Sequence, residues 1–527
     1  MNDSTKAILE DRFFHDGEST WEDVAERTAS FWMSGRYESR RDTVADMLRN
    51  KEALCNTPAL ANAGRDQATG SACFVLAIED SLDSIMSTLR DAALVHKSGG
   101  GTGFNFSKIR PAGSKVSTTT RDAPGPAEML KLYSNAIGHV TQAGMRPGAN
   151  MAIIDVDHKD AYEFVLTKIN EGDIHNFNIS LALNDAYMTD VADGERHANR
   201  HFERFVELAH RNGEPGAFFI DTTNNTRLHP EPLECTNPCG EVPLRPYEAC
   251  VLGSINLAKH VTPGKDGKPT IDIAHLAQTT NKMVWLLDAI IEHQYYPLPE
   301  IEREQKRYRK IGVGVMGYAD LLCELGIEYG SEEAINVARR VMNVVQAASY
   351  ASSEELARTL GLYDGYDGGT AHRRNLNCQV IAPTGTISRL AGCSFGIEPH
   401  FDTGHDGSYQ SFIVGSVFED FNQYHSSPVW TPASKVTLDQ HLETQAAFQQ
   451  YTDQAVSKTI NCPEETTMLE LKDAYVRAWQ LGLKGTTILR ENSRDNVVIK
   501  RTHDEPDAED VDTSAMSVVC EGSQCAM

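Results

Sequence analysis

Segments with the composition of buried β-strands alternate with segments of helical periodicity along most of the chain. Phe74–Ile78 is an apolar run of strand type. The segment after it carries apolar residues at helical spacing, namely Leu82, Ile85, Met86 and Leu89. The same order continues with a helix at 127–142, a strand at 151–154, a helix at 161–169, a strand at 177–183, a helix at 201–210 and a strand at 217–220. Because parallel strands need a crossover between them, this alternation predicts an α/β fold with largely parallel strands.

The alternation resumes in the second half of the chain and is absent from three regions. It comprises a strand at 249–257, a helix at 273–293, a strand at 311–317, a helix at 318–325 and a strand at 380 that leads into a Gly-Thr turn. Residues 1–50, rich in Asp, Glu and Arg, predict a small N-terminal helical region. Residues 402–470 carry no recognisable motif and are interpreted as an insertion or an extra layer. Residues 501–527, acidic from His503 to Asp512, predict a flexible tail.

Composition excludes several classes of protein. The 527 residues carry a net charge of −25, which disfavours non-specific binding to nucleic acid or to an anionic membrane. The first residues lack the apolar core of a signal peptide, and no apolar run reaches the roughly 18 residues of a membrane span. We therefore expect a cytoplasmic protein whose cysteines are mostly reduced, so that a disulfide would be catalytic rather than structural.

One short segment, 234–241 (Glu-Cys-Thr-Asn-Pro-Cys-Gly-Glu), brings together an amide, a thiol and a carboxylate. Asn237, Cys239 and Glu241 stand two positions apart, and Pro238 and Gly240 between them disfavour a helix. Fully extended, the segment would hold Asn237 and Glu241 about 13 Å apart, too far to grip one sugar ring. We therefore expect it to curl into a loop tip. The alternative is a surface turn with an incidental buried cysteine.

Two glycine motifs require separate interpretation. Residues 98–103 (Ser-Gly-Gly-Gly-Thr-Gly) lack the Gly-Lys-Ser/Thr ending of a phosphate-binding loop, and a flexible turn before a strand near Phe104 is an equal alternative. Gly312, Gly314 and Gly317 match the dinucleotide fingerprint between a strand and a helix. This match supports a rival function, a nicotinamide-dependent oxidoreductase. The following segment lacks a clear second strand with an acidic end, and the glycines would equally serve close packing.

The eleven cysteines do not form a convincing metal site. They are Cys55, Cys73, Cys235, Cys239, Cys250, Cys323, Cys378, Cys393, Cys462, Cys520 and Cys525. The close pairs 235/239 and 520/525 lack the CxxC spacing of zinc sites, so no metal site is predicted. A dithiol on a flexible tail instead suits thiol–disulfide exchange. A second rival is a non-enzymatic assembly protein with cysteines in its core, which thiol titration with and without reductant would distinguish.

Several segments together resemble ribonucleotide reductases, and most closely the adenosylcobalamin-dependent class. They lie between residues 56 and 525 in the family's order, and the most specific is Asn-Pro-Cys-Gly-Glu at 237–241. The resemblance implies a ten-stranded α/β barrel over residues 51–500. This barrel consists of two five-stranded halves with a finger loop threaded through the middle. The implied activity is reduction of ribonucleotides to 2′-deoxyribonucleotides for DNA precursor synthesis.

The resemblance also implies the roles of the reacting residues. Asn237, Cys239 and Glu241 match the finger-loop triad, in which Cys239 carries a thiyl radical, Glu241 acts as general base and Asn237 orients the ribose hydroxyls. Cys73 and Cys250 match the reducing pair, and Cys520 and Cys525 the tail pair that reopens their disulfide. From Arg501, a tail of 19 residues reaches Cys520 and spans about 24 Å as a flexible linker.

The implied ligand contacts cover two sites. The substrate nucleotide is expected at Thr57, Ala72, Cys73, Gly101, Asn237, Pro238, Cys239, Gly240, Glu241, Pro383, Thr384, Gly385, Thr386 and Ile387. Backbone N–H groups of the 383–387 turn, at the start of a predicted helix, suit phosphate. A dNTP or ATP effector that controls specificity is expected near Asp80, Arg110 and Arg146. No ATP-binding cone is recognisable at the N-terminus.

The source of the radical can be inferred from the residues that stand where other classes of the family carry or transfer a radical. Thr487 and Ile488 stand roughly where metal-dependent relatives have adjacent tyrosines, and Gly522 lacks the setting of a glycyl radical. The resemblance therefore implies adenosylcobalamin as cofactor and no radical-generating subunit, although the His158 segment lacks the Gly of the Asp-x-His-x-x-Gly cobalamin motif. By family analogy we expect diphosphate substrates, thioredoxin or glutaredoxin as reductant, and a homodimer.

Overall fold

The computed structural model describes residues 3–117, 121–140, 149–170, 172, 174–368, 372–404, 407–411, 418–493 and 499–501. Within these ranges the chain forms helices α1–α17: Asp3–Arg12, Trp21–Trp32, Arg41–Arg49, Thr57–Asn62, Leu82–Lys97, Pro126–Gly138, Ala161–Val165, Asp185–Ala192, Arg196–Asn212, Ile220–Asn225, Ile273–His293, Pro299–Tyr308, Tyr318–Leu325, Glu332–Leu360, Gly385–Ala391, Leu438–Gln449 and Met468–Gln480. None of the described helices is both long enough and apolar enough to cross a lipid bilayer.

The described strands are β1–β17. Their bounds are Ala53–Cys55, Cys73–Leu76, Gly101–Asn105, Asn150–Asp155, Phe177–Leu183, Gly216–Phe219, Cys235–Thr236, Pro243–Leu244, Ala249–Asn256, Val261–Pro263, Pro269–Ile271, Ile311–Met316, Ser408–Ser411, Phe418–Phe421, Thr459–Cys462, Gly485–Arg490 and Ile499–Arg501. Ten of them form one large sheet: β1, β2 to β6, β9, β12, β15 and β16. The remaining strands form small antiparallel sheets.

The first half of the barrel consists of β2, β3, β4, β5 and β6, which pair in parallel in chain order. Most positions in these strands are buried, as expected for parallel strands covered on both faces. Helices α5, α6, α7 and α9 provide the crossovers and the outer layer. The strand–helix alternation predicted for residues 74–220 is therefore confirmed.

The second half consists of β9, β12, the extended segment Gln379–Ile381, β15 and β16. β12 pairs with β9 in parallel, and β15 pairs with β16 in parallel. Parallel bridges from Val313 to Gln379 and from Ile381 to Val456 join the two pairs. The halves meet antiparallel where β2 pairs with β9 and where β6 pairs with β16. These two halves of five strands close into a ten-stranded barrel. β1 pairs with β9 but is not one of these ten strands.

Three apolar clusters stabilise this architecture. One packs the N-terminal helices α1 to α3 and the long helices α11 and α14 against β9 and β12. The second packs α5, α6, α9 and α17 against the first half. The third, smaller cluster fills the barrel interior around the hairpin β7–β8 and includes Cys73 and Cys250. The N-terminal helical region predicted at 1–50 is present as α1, α2 and α3 in its described part.

Residues 402–470 differ from the interpretation as one insertion or extra layer. Only the first part lies outside the barrel, where β13 pairs with β14 and with β17. The second part supplies α16 and the barrel strand β15. Sequence reasoning missed this strand because Thr459–Cys462 is four residues long and has no clear apolar periodicity.

Candidate active site

The segment 234–241 forms the tip of a hairpin inside the barrel. β7 and β8 pair antiparallel, with Cys235 opposite Leu244 and Thr236 opposite Pro243. The chain turns between them, where the Gly240 N–H donates to the Asn237 carbonyl at 3.1 Å and Gly240 has a φ of 82°. Glycine adopts this left-handed conformation without strain. The predicted curl at Pro238 and Gly240 is therefore present, and the finger loop occupies the barrel centre.

Glycines of β3 make room for this hairpin. A Cβ on Gly103 would lie 1.9 Å from the Thr236 carbonyl oxygen, and one on Gly101 would lie 3.1 Å from Pro238 Cγ. Both glycines belong to a strand rather than to the flexible turn that was one interpretation of residues 98–103. Their lack of a side chain lets the backbone of the finger loop lie directly on the barrel wall.

The Asn237 side chain contacts Glu241, Cys73 and the backbone of the finger-loop hairpin. Its Nδ2 donates to Glu241 Oε2 at 2.9 Å and lies 3.2 Å from Cys73 Sγ, while its Oδ1 accepts from the Val242 N–H at 2.9 Å. The Glu241 carbonyl accepts from the Ala455 N–H at 2.9 Å, which ties the loop to the second half of the barrel. Asn237 and Glu241 are both buried. The amide and the carboxylate are thus held side by side against the cysteine of β2.

Cys73 and Cys250 face each other across the seam between the halves. They are direct partners in the antiparallel register of β2 and β9 and are present as thiols. Such partners have Cα atoms about 4.5–5.5 Å apart, within the span of roughly 4.4–6.8 Å that a disulfide requires. Gln454 Nε2 contacts Cys250 Sγ at 3.6 Å. Burial raises the pKa of the Cys250 thiol to about 12, so this cysteine is protonated at neutral pH.

A cavity opens above these residues. The predicted residues that line it are Thr57, Ala72, Cys73, Cys239, Glu241, Pro383, Thr384, Gly385, Thr386 and Ile387. Four other predicted residues are not in the lining: Gly101, Asn237, Pro238 and Gly240. Gly101 and Asn237 support the lining from behind through the contacts given above. The cavity therefore joins Cys239 and the Glu241 carboxylate of the finger loop to the 383–387 turn.

The 383–387 turn has the conformation of a binding loop. Thr384 caps α15 with a φ of 64°, an uncommon value for a residue other than glycine. Its hydroxyl accepts from the Gly396 N–H at 2.8 Å, which holds the strained residue in place. The helix start predicted here is present, and Gly385, Thr386 and Ile387 of its first turn lie on the cavity wall.

Sequence reasoning missed several lining residues, namely Arg12, Asn56, Pro58, Leu252, Gly253, Ser254 and Ala382. Most are sequence neighbours of predicted ones. Arg12 is different, because it belongs to α1 at the start of the chain. No local pattern marks it, since an arginine in the last turn of a charged helix usually faces solvent.

Comparison with known proteins identifies the family of this chain. The model of the ribonucleotide reductase barrel domain matches residues 71–199, 194–379 and 417–489. The chain belongs to the ribonucleotide reductase family. A vitamin B12-dependent ribonucleoside-diphosphate reductase of Mycobacterium tuberculosis is 37% identical, over 92% of this chain and 77% of that protein. A protein of the same name from Thermoplasma acidophilum is 35% identical, over 88% of this chain and 66% of that protein.

A solved structure supports the fold independently. The alpha subunit of the class Id ribonucleotide reductase of Actinobacillus ureae superposes with a TM-score of 0.79, over 93% of this chain and 97% of that one. The sequence identity is 21%, so this likeness concerns the ribonucleotide reductase fold alone. The fold class predicted from the sequence is confirmed.

The glycines that resemble a dinucleotide-binding motif, Gly312 and Gly314, allow close packing inside the ribonucleotide reductase barrel. A Cβ on Gly312 would lie 2.4 Å from Val380 Cγ1, and one on Gly314 would lie 2.3 Å from the Val380 carbonyl oxygen. The neighbouring segment Gln379–Ile381 therefore occupies the space over these glycines that a pyrophosphate would need. The nicotinamide-dependent alternative is not supported.

Asp80 and Arg110, two of the residues expected at an effector site, do not line the active-site cavity. Asp80 stands just before α5, and its carboxylate accepts from Arg110 Nε at 2.7 Å and from the Arg110 N–H at 3.2 Å. The structure thus brings these two residues together. Arg146, the third expected residue, lies outside the described residues, as do Cys520 and Cys525.

Gly103→Ala is expected to displace the finger loop. The new methyl group would overlap the Thr236 carbonyl, a backbone atom that cannot rotate away. We expect a loss of about 1–3 kcal/mol in the free energy of unfolding. Turnover should fall by about 10²-fold, because misplacement of reacting groups by 1 Å has effects of that order. Denaturant unfolding and a deoxynucleotide assay measure the two effects.

Gly138→Ala is the matched control for this substitution. Gly138 ends α6, and the nearest atom to an added Cβ is Asn176 Nδ2 at an ordinary 3.6 Å. This variant should retain wild-type activity. Equal activity in the two variants would show that Gly103 is not needed for the position of the finger loop.

Proposed function

We propose that this chain reduces ribonucleoside diphosphates to 2′-deoxyribonucleotides by a thiyl-radical mechanism that depends on adenosylcobalamin. The observation that carries the proposal is that Cys73, which faces Cys250 across the strand register, lines one cavity together with Cys239 and Glu241 of the finger loop. The names of the most similar relatives support the diphosphate substrate and the cobalamin.

The finger loop starts the reaction in this proposal. Cys239, as a thiyl radical, takes the hydrogen atom from C3′ of the ribose and becomes a thiol. Glu241 accepts the proton of the 3′-hydroxyl as general base, for which a carboxylate on the cavity wall is well placed. Asn237, which donates to Glu241, orients the carboxylate and the ribose hydroxyls. The radical at C3′ makes the neighbouring 2′-hydroxyl a good leaving group.

The cysteine pair supplies the two electrons of the reduction. The 2′-hydroxyl takes up a proton from the pair and leaves as water. Cys73 and Cys250 then close to a disulfide, and C2′ ends with a new C–H bond. Glu241 returns its proton to the 3′-oxygen, and Cys239 returns its hydrogen atom to C3′ and is a radical again. The balance is one ribonucleotide and one dithiol converted to one deoxyribonucleotide, one disulfide and one water. The protonated state of the Cys250 thiol suits this role.

The residues present fit adenosylcobalamin. The cofactor must reach Cys239, and Cys239 lines the cavity. Leu252, Gly253 and Ala382 on its wall are small or apolar, as suits a flat corrin face, and they would hold the group. When bound, it supplies the radical by homolysis. Thr487 and Ile488 of β16 stand roughly where the family resemblance puts the tyrosine pair of metal-dependent relatives, which supports a cofactor as the radical source.

Regulation and assembly complete the proposal. We place a nucleotide effector near Asp80 and Arg110, at the start of α5, and a homodimer contact on α5 and α6. The second placement is supported by large apolar side chains on these helices that are more than one-third exposed: Leu82, Met86, Leu94 and Leu132. Exposed large apolar side chains on two adjacent helices suit a subunit interface.

Cys520→Ser combined with Cys525→Ser is expected to separate the first turnover from the later ones. We propose that these tail thiols reopen the Cys73–Cys250 disulfide and are themselves reduced by thioredoxin or glutaredoxin in the cytoplasm. The double variant should complete one turnover from the pre-reduced state and then stop with thioredoxin as reductant. Loss of the first turnover as well would assign the tail another role. Rapid-quench measurement of product per chain distinguishes the two results.

A direct assay tests the proposed function as a whole. Purified chain is incubated with a ribonucleoside diphosphate, dithiothreitol and adenosylcobalamin, and the product is separated by chromatography. We expect the 2′-deoxyribonucleotide in air and without a second protein. Turnover that required an added iron or manganese protein and ignored adenosylcobalamin would refute the cofactor assignment while leaving the thiyl chemistry in place.

A further inference from the structure

The first helix of the chain forms part of the active-site wall. Helix α1 packs against α15, the helix whose first turn carries Gly385, Thr386 and Ile387 on the cavity wall. Ile8 and Leu9 of α1 are buried in the apolar cluster beneath. Arg12, the last residue of α1, lines the cavity and is 5% exposed. The N-terminal region thus contributes a charged side chain to a site otherwise built by the barrel.

A partly buried hydrogen-bond network joins the end of α1 to the wall of the cavity. Arg27 Nη2 donates to the carbonyl of Phe13 at 2.8 Å, next to Arg12. The same guanidinium donates through Nη1 to the carbonyls of Leu60 and Ala63 at 3.0 and 2.7 Å, and through Nε to Glu18 at 2.6 Å. Leu60 belongs to α4, whose first residue also lines the cavity. Arg12 is therefore attached to a rigid corner of the site rather than to a loose terminus.

Charge distinguishes Arg12 from its neighbours in the cavity. Among the described residues of the lining, it carries the single positive charge and Glu241 the single carboxylate. Arg12 Nε also lies 3.4 Å from the carboxylate of Asp11, a half-exposed residue that is not part of the lining. The chain as a whole carries a net charge of −25, which repels a polyphosphate. Backbone N–H groups alone would have to offset this repulsion without a local cation.

We propose that Arg12 binds the diphosphate group of the substrate. This inference rests on the proposed function and names the residue that selects its substrate class. The guanidinium of arginine presents its N–H groups as a planar fork that matches two phosphate oxygens. Arg12 then holds the diphosphate at the α1 side of the cavity. Glu241 and Cys239 face the ribose at the other part of the cavity.

Arg12→Ala tests the proposal through binding. Titration calorimetry of a ribonucleoside diphosphate and of the phosphate-free ribonucleoside needs neither cofactor nor turnover. Loss of a buried charged partner should raise the Kd of the diphosphate by about 30-fold, and the Kd of the nucleoside should stay within about threefold. Inorganic pyrophosphate should compete with the diphosphate for binding to the wild type. It should no longer compete for binding to Arg12→Ala. In turnover assays KM should rise far more than kcat falls.

Two further variants make the test decisive. Lys6→Ala removes one positive charge from the same helix at an exposed position and should leave both Kd values unchanged. Arg12→Lys keeps the charge but not the fork, and should weaken diphosphate binding by an intermediate factor even if Arg12→Ala folds poorly. Equal effects of Arg12→Ala on the diphosphate and the nucleoside, or an effect no larger than that of Lys6→Ala, would overturn the proposal. Wild-type binding that depends on Arg12 without any reduction of ribonucleotides would instead refute the proposed function.

Discussion

Cys239→Ser is expected to reduce turnover by more than about 10⁴-fold while leaving the barrel folded. Serine has almost the shape of cysteine, so the tip of the finger loop should keep its conformation. The O–H bond of serine is much stronger than the S–H bond of cysteine, and a radical cannot be placed on the serine oxygen under these conditions. The same substitution should abolish exchange of tritium between the 5′ carbon of adenosylcobalamin and water, which requires the Cys239 hydrogen.

Cys235→Ser provides the control on the same hairpin. Cys235 is buried four residues earlier, and its Sγ lies 3.4 Å from the carbonyl oxygen of Thr236, to which a hydroxyl could donate. This variant should retain activity within about tenfold, because buried cysteines of this kind serve packing. Deoxynucleotide formation above background in a clean preparation of Cys239→Ser would remove Cys239 from the mechanism.

Glu241→Gln is expected to lower kcat by about 10²–10⁴-fold, the usual contribution of a general base. Glutamine has the same length, and its side-chain oxygen can still accept from Asn237 Nδ2, which is 2.9 Å from the Glu241 carboxylate. The substitution therefore removes the ability to accept a proton with little change in geometry. Steady-state kinetics should show a fall in kcat with KM nearly unchanged.

Glu234→Gln is the matched control in the same segment. The Glu234 side chain is 38% exposed and contacts Lys108 Nζ at 3.2 Å, outside the cavity. Loss of this surface ion pair should cost little, about 0–1 kcal/mol of stability, and should not affect kcat. If Glu241→Gln retained wild-type kcat, the proton of the 3′-hydroxyl would have to leave by another route.

Elements with strong local patterns could be predicted from the sequence. The helix Ile273–His293 and the strand Phe177–Leu183 have the bounds that periodicity and apolar content indicate. The curl of the finger loop followed from Pro238 and Gly240, whose backbone preferences are local. In each case the information lies within a few residues, so no knowledge of the tertiary structure was needed.

Features that depend on distant residues could not be predicted in this way. The strand predicted at 380 is present as the extended segment Gln379–Ile381, but the bridges that place it in the barrel join it to Val313 and Val456, which are distant in the chain. The steric role of Gly103 depends on Thr236, far along the chain, and the position of Arg12 depends on the packing of α1 against α15. The pairing of Cys73 with Cys250 was expected only from the family resemblance. The register between two strands distant in the chain depends on both strands and their packing, and cannot be predicted from the residues of one strand.

The Cys520→Ser, Cys525→Ser double variant allows the most direct measurement of the central claim. The protein is reduced, freed of dithiol and mixed with a ribonucleoside diphosphate and adenosylcobalamin. Deoxynucleotide per chain is then quantified and disulfides are mapped by mass spectrometry. We predict about one deoxynucleotide per chain, formed together with a Cys73–Cys250 disulfide in equal amount, as a two-electron exchange requires. Product without that disulfide, or no product until an iron or manganese protein is added, would contradict the account.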